Sequence, residues 1–273
     1  MKNTKLRPFC FIVGLSFKCS VALLILFSPV QATEAIPVAK IQYLTPSTGE
    51  ITRENKADIR GVRGLRGVRG VRGIRGACMQ IEENFTLRLL VPERTGKTID
   101  AQPNLYWFVS QPLSNAEFIF ILDKVPLTDN TEFSEPLIKT NLKLSVPAGI
   151  QVLPLAKVLP ADKSTFQLEP GTEYRWTLLL TCHADYPSLD IKSTGTIKRI
   201  EPSTELLTEI QQSSPEKLPY LYAKQGLWYN ALNELVKQIK EQSDNALSRK
   251  TLVDLLKQGG LVEVVNYDKL LGG

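Results

Sequence analysis

The chain has 273 residues, 43% of them hydrophobic and 22% charged. That is ordinary globular composition with length enough for one or two domains and a sizeable core, so a wholly disordered chain is excluded. The formal net charge of +5 is not a nucleic-acid signature, because most of it sits in the first 35 residues.

Those residues carry Lys2, Lys5 and Arg7, then the apolar run Cys19–Phe27, then Pro29 and the small-residue sites Val30-Gln-Ala32 and Thr33-Glu-Ala35. Basic, apolar and small residues in that order are expected of a secretory signal peptide, residues 1–35. Lys18 shortens the apolar run below the roughly 20 residues of a membrane span; an uncleaved anchor is the alternative. Cleavage after Ala35 removes Lys2, Lys5, Arg7, Lys18 and Glu34, which takes the charge from +5 to +2. It also removes Cys10 and Cys19 and leaves Cys78 and Cys182. Two cysteines in an exported chain most simply pair, closing a loop of about 100 residues worth roughly 4–5 kcal/mol in the chain-entropy model. Two free thiols are the other reading. The expected location is periplasmic or extracellular.

Residues 36–77 read as a flexible leader. It ends in an Arg-Gly run with Arg60, Arg63, Arg66, Arg69, Arg72 and Arg75 each followed by glycine. A period of three fits neither strand nor α-helix but fits polyproline II. Six arginines can hold a protein to an anionic membrane surface or polysaccharide at about 1 kcal/mol each; a solvated spacer without a partner is the other reading. Arg-Gly repeats also bind RNA, but export argues against a nucleic-acid partner.

From residue 78 to about 200, short alternating segments succeed one another. They are Asn84–Val91, Leu105–Ser110, Ala116–Leu122, the weaker Leu137–Val146 and Ile150–Leu155, then Tyr174–Cys182 and Ile191–Ile200. Such a series predicts a β-sandwich rather than βαβ units. The most telling stretch is Leu168–Cys182. Pro170-Gly171 makes a turn, and Tyr174, Trp176, Leu178, Leu180 and Cys182 then alternate with Arg175, Thr177, Leu179 and Thr181. Leu-x-Pro-Gly-x-x-Tyr resembles the tyrosine corner of immunoglobulin-like and fibronectin type III sandwiches, although Cys182 comes eight residues after Tyr174 instead of two. Tyr174 and Trp176 are expected in the core.

After Pro202 the period becomes helical, and residues 201–273 are expected to be an α-helical region. Ser203 is placed to cap a helix, Ser214-Pro215-Glu216 starts a second, and Trp228, Ala231, Leu232, Leu235, Val236 and Ile239 form an apolar stripe. Tyr222-x-x-x-Gly226-x-Trp228-x-x-Ala231 resembles the turn of a tetratricopeptide helix pair. One such hairpin is legible, packing on itself and on the sandwich. A last helix is read over Thr251–Lys257, ended by Gly259-Gly260.

Five blocks together resemble the cyanobacterial Domain of Unknown Function 928 family. They are Arg75-Gly-Ala-Cys78, Leu87-x-x-Leu-Val-Pro92, Tyr106-Trp-Phe108, Pro170-Gly-Thr-x-Tyr-Arg-Trp176 with Cys182, and Leu221-Tyr-Ala-x-x-Gly-Leu-Trp-Tyr-x-Ala-Leu232. The resemblance spans about residues 75–262, with Ala77 where the family tends to have a second glycine. It implies an exported protein of unassigned activity and brings no catalytic residues with it.

Little catalytic chemistry is legible. His183, the single histidine, precedes Asp185, but no Gly-x-Ser-x-Gly elbow accompanies them. Gly96-Lys97-Thr98 ends like a phosphate loop, yet Val91 stands where the first glycine belongs. One histidine and two cysteines lack zinc-site spacing, and no cofactor or metal is expected. The function expected is a non-enzymatic envelope or cell-surface interaction module, with an envelope protein or glycan as partner. The alternative is a carbohydrate-active hydrolase using a carboxylate pair such as Glu82-Glu83 or Glu201 and Glu205, which spacing alone does not place across a substrate.

Overall fold

Alternation along the chain builds the strands. In Glu173–Leu180 every second residue from Tyr174 to Leu180 is buried and those between are half-buried, the pattern of a strand with one face on a core. The computed structural model describes residues 40–47, 81, 85–125, 135–182 and 189–266, all within one unit spanning 40–273. Residues 1–35, expected to be a signal peptide, and Arg60 to Arg75, Cys78, Glu82, Glu83, His183 and Asp185 lie outside the described residues.

The fold is mixed, with two sheets followed by helices. The strands are β1 (Leu87–Leu89), β2 (Gly96–Thr98), β3 (Asn104–Val109), β4 (Leu113–Lys124), β5 (Ile138–Val146), β6 (Gly149–Pro154), β7 (Glu173–Leu180) and β8 (Ile191–Arg199). A three-stranded sheet runs β1-β3-β6 and a five-stranded sheet runs β2-β8-β7-β4-β5. All pairs are antiparallel except β2 with β8. The sheets meet through Trp107 of β3 and Phe118 of β4, whose rings stand edge to face at 5.3 Å, and through the Leu89 N–H donating to Ser193 Oγ at 3.0 Å. At the start of β7 the Tyr174 hydroxyl accepts the Glu169 N–H at 3.1 Å, tying the strand to the Pro170-Gly171 turn before it. Tyr174 and Trp176 are fully buried, as read. Gly96-Lys97-Thr98, the sequence with a phosphate-loop ending, is the edge strand β2 beside β8.

The helices are α1 (Leu155–Val158), α2 (Thr204–Gln212), α3 (Leu218–Lys224), α4 (Trp228–Glu241), α5 (Ala246–Gln258) and α6 (Val262–Val265). Ser203 caps α2, its Oγ accepting the Leu206 N–H at 3.2 Å. One correction concerns the helical region: a second helix–turn–helix unit follows the first. Gly226 and Gly260, 34 positions apart, have φ of +71° and +76°. Each ends a helix in the same way. The Leu227 N–H bonds the Tyr222 carbonyl at 2.8 Å and the Gly226 N–H the Ala223 carbonyl at 2.9 Å. The Leu261 N–H bonds the Leu256 carbonyl at 2.9 Å and the Gly260 N–H the Lys257 carbonyl at 3.0 Å. This is the Schellman closure, which needs the left-handed residue that glycine supplies. The helix read over Thr251–Lys257 is the middle of α5, and Gly259-Gly260 leads into α6 instead of ending the helical region.

Helices cover the outer face of the three-stranded sheet. Tyr106 of β3 donates its hydroxyl to Asn233 Oδ1 of α4 at 2.8 Å, and Arg88 of β1 pairs with Glu263 of α6 at 2.5 Å. Trp228 donates its indole N–H to the Leu90 carbonyl at 2.8 Å. Tyr229 reaches between the sheets, where its hydroxyl accepts from Trp176 Nε1 at 3.1 Å and donates to the Thr196 carbonyl at 2.9 Å. Sheet and helix residues thus belong to a single buried cluster. Within the stretch read as leader, residues 40–46 run extended against the helices with Ile41 and Tyr43 buried.

Candidate functional site

The outer face of the five-stranded sheet is set by the second register of its strands. Inward on β4 stand Phe118, Phe120 and Leu122, all buried; outward stand Glu117, Ile119, Ile121 and Asp123. Cross-strand pairing orders the outward residues into rows. Lys143 lies opposite Glu117, whose carbonyl accepts the Thr181 N–H. The next row is Asn141, Ile119, Leu179 and Lys192, and the one after it Lys139, Ile121, Thr177 and Thr194. Asp123 then faces Arg175. The centre, Ile119, Ile121 and Leu179, is half-buried, and Lys139, Lys143, Lys192 and Glu117 at its margin are exposed. An open depression of about 400 Å³ sits at one end, lined by Glu117, Ile119, Asn141, Lys143 and Thr181 among others.

The rows carry four cations, Lys139, Lys143, Arg175 and Lys192, against two carboxylates, Glu117 and Asp123. Burial pushes the Asp123 carboxyl above its ordinary value, while a backbone hydrogen bond at Leu137 and the Arg175 charge pull the other way. Thr177 and Thr194 share a hydroxyl hydrogen bond at 3.0 Å. An apolar centre with a basic, hydroxyl-rich margin suits contact with an anionic surface.

A second polar cluster has another character. Where β2 and β3 meet α4, Asn230 Oδ1 accepts both the Thr98 hydroxyl and the Ile99 N–H at 3.2 Å, and its Nδ2 donates to Asp100 Oδ2 at 3.1 Å. Asn233 Oδ1 accepts from Asn104 Nδ2 and the Tyr106 hydroxyl, both at 2.8 Å. Burial raises the Asp100 carboxyl against the opposing Asn230 hydrogen bond and Arg199 charge. It also raises the Tyr106 hydroxyl, with the Glu234 charge adding to the shift. These groups satisfy one another across the sheet–helix joint, which is how buried polar groups hold a fixed docking geometry.

Of the residues singled out in the sequence, Cys182 is buried at the end of β7, its N–H donating to Asp190 Oδ1 at 2.9 Å. Cys78 and the six arginines lie outside the described residues. Glu201 is exposed before α2. Glu205 is in the first turn of α2, its carboxyl held below the ordinary range by hydrogen bonds from its own backbone and Ser203. Among the described residues no group of three or more His, Cys, Asp or Glu side chains is placed to hold a metal ion, and no helix is long and apolar enough to cross a membrane. The sequence shows both registers of β4 and β7 but not their pairing, so the outward residues do not assemble into one face until the cross-strand register is known. The available signal was Ile119 and Ile121, β-branched residues alternating with a register already filled by Phe118 and Phe120.

The chain matches the model of the family described as Domain of Unknown Function (DUF928) over residues 67–268. It belongs to that family. No curated protein matches the chain. The match includes both sheets, the helical joint and both helix–turn–helix units.

Proposed function

We propose that this DUF928 protein is an exported, non-enzymatic interaction module that binds an anionic envelope partner through the outer face of its five-stranded sheet. The observation that carries the reading is the composition of that face: Ile119, Ile121 and Leu179 at the centre, with Lys139, Lys143 and Lys192 around them. No aromatic ring stands in those rows among the described residues, which favours an acidic protein or charged polymer over a stacked neutral sugar. An immunoglobulin-like sandwich as the scaffold is supported by the strand orders β1-β3-β6 and β2-β8-β7-β4-β5 and by the Tyr174 bond to the corner before β7. Export is supported by the basic, apolar, small-residue order of the N-terminus and by the cysteine pair, Cys78 and Cys182, that cleavage after Ala35 leaves available to form a bridge in an oxidising compartment. The run from Arg60 to Arg75 adds a local positive field that tethers the module to the same anionic surroundings.

The test is affinity capture from the envelope with the exported form, comparing wild type with an Ile119→Ser, Lys143→Glu variant. A partner retained by the wild type and lost by the variant is expected, with retention falling at high salt. Equal capture by both proteins would remove the sheet face from the account.

A further inference from the structure

The segment 40–46 is bound to the helices as a peptide is bound to a receptor. Its backbone is read at two places. Gln258, at the end of α5, accepts the Tyr43 N–H through Oε1 at 2.8 Å and donates through Nε2 to the Ile41 carbonyl at 3.0 Å. Further along, the Leu44 N–H donates to the Ala223 carbonyl at the end of α3 at 3.0 Å. The segment therefore crosses both Schellman turns of the 34-residue repeat. Its side chains alternate accordingly: Ile41, Tyr43 and Pro46 are buried, and Gln42 and Leu44 are exposed. The Tyr43 ring stands edge to face on Trp228 at 5.0 Å. A side chain at position 226 would place its Cβ 2.9 Å from the Leu44 carbonyl oxygen, so glycine there serves the bound segment as well as the turn.

Main-chain hydrogen bonds with alternate side chains in pockets are how extended peptides are recognised in general. Two features make this contact exchangeable. Residues 48–80 lie in sequence between the segment and the first sheet, a length of about 100 Å when fully extended, which is enough to reach the seam of a second molecule. The Tyr43 hydroxyl is buried with no hydrogen-bond partner among the described residues, an uncompensated polar group that weakens the resident occupant.

We propose that the seam across the two helix turns is a binding site for an extended peptide of the pattern Ile-x-Tyr-x-x-Pro, filled in cis by residues 41–46 and in trans by the same segment of a second copy. The site is separate from the open sheet face and does not depend on it.

Two full-length variants test the exchange. One carries Tyr43→Ala and keeps the seam; the other carries Gln258→Ala and keeps the segment. The expectation is that each is monomeric alone and that mixing yields a 1:1 complex by analytical ultracentrifugation. A mixture that stays monomeric at every accessible concentration would overturn exchange in trans.

A second experiment inserts a specific protease site between Gly49 and Glu50 of the full chain, cleaves it, and adds labelled peptide covering residues 38–48. The peptide is expected to replace the cut segment. Tyr43→Phe in the peptide should bind at least as tightly as the native sequence. Binding should weaken about tenfold or more when Gln258 is alanine, the scale of losing a paired set of backbone contacts. If cutting unfolds the chain, added peptide should refold it. A peptide that neither enters nor refolds the cut chain, or that enters equally well with Ile41 and Tyr43 both replaced by serine, would overturn the site.

Discussion

Strands β3 and β7 are both central strands of their sheets, yet they are finished differently. In β3 every residue from Leu105 to Val109 is buried, because one face meets the five-stranded sheet and the other meets α4. In β7 burial alternates from Tyr174 to Leu180, because only the inner face is covered. The outward residues of β3 are Tyr106 and Phe108, both buried; those of β7 are Arg175, Thr177 and Leu179, half-buried. The same scaffold thus devotes one outer face to stability and leaves the other available for contact. Substitutions should separate the two: the helix side should answer in stability, the open side in binding.

The largest effect is expected at Trp228. Its ring is fully buried, its N–H bonds the Leu90 carbonyl, and it contacts both Tyr43 and the turn at Gly259. Trp228→Ala should cost about 3–5 kcal/mol by the scale for large core truncations, read as a lower midpoint in chemical denaturation. The same contact restricts Gly259, where an added Cβ would fall 2.2 Å from the tryptophan ring. If Trp228→Ala left the midpoint unchanged, the helices would not be held to the sheets as described.

Tyr229→Phe is the next step down. The change keeps the ring and removes the hydroxyl between Trp176 Nε1 and the Thr196 carbonyl. Both groups are then left without that partner, a loss of about 1–3 kcal/mol. Because the hydroxyl links β7 to β8 and both to α4, the variant should lose stability cooperatively, with one transition by near- and far-ultraviolet circular dichroism. Two separated transitions would mean that the sheets and helices unfold as independent units.

How much of this was legible in the sequence follows the range of the interactions. The alternation of β7 and the helical stripe from Trp228 to Ile239 are local patterns, and both appear where they were read. β2 was not legible: Gly96-Lys97-Thr98 has no alternation to detect and is a strand only because β8 lies beside it, about 100 residues away in sequence. The second Schellman turn was missed because Gly260-Leu261-Val262 lacks the tryptophan and alanine that mark the first. The docked segment 40–46 was invisible for a further reason. Its buried Ile41 and Tyr43 alternate with exposed residues over too short a run to register as a strand, and their partners Trp228 and Gln258 are far away in sequence. The open face is written in the second register of β4, but which residues of β5, β7 and β8 stand beside Ile119 and Ile121 follows only from the pairing.

On the open side, Lys143→Glu should leave the denaturation midpoint within about 0.5 kcal/mol of wild type, as surface changes away from caps and cores usually do. Its effect should be read in capture of an anionic partner. A stability loss comparable to that of Tyr229→Phe would show that the face is covered by another part of the molecule, and the contrast between β3 and β7 would fail.

The smallest effect separates the two sides by pH. Asp100 at the helix joint and Asp123 on the open face both have carboxyls raised above their ordinary value of 3.8, in each case mainly by burial. A raised carboxyl binds its proton more tightly in the folded state than in the unfolded one, so its contribution to stability declines as pH rises from the ordinary value through the raised one. Asn in place of Asp100 keeps an oxygen to accept the Asn230 Nδ2–H and removes the charge. Asp100→Asn should therefore gain on wild type between pH 3 and pH 7, and the gap should close again on acidification. Asp123→Asn should change in the same direction but by less, since water reaches the outer face and screens the charge there. A gap for Asp100→Asn that is flat with pH would mean that Arg199 and Asn230 already offset the burial of the carboxylate, and the joint would then tolerate the charge as well as the open face does.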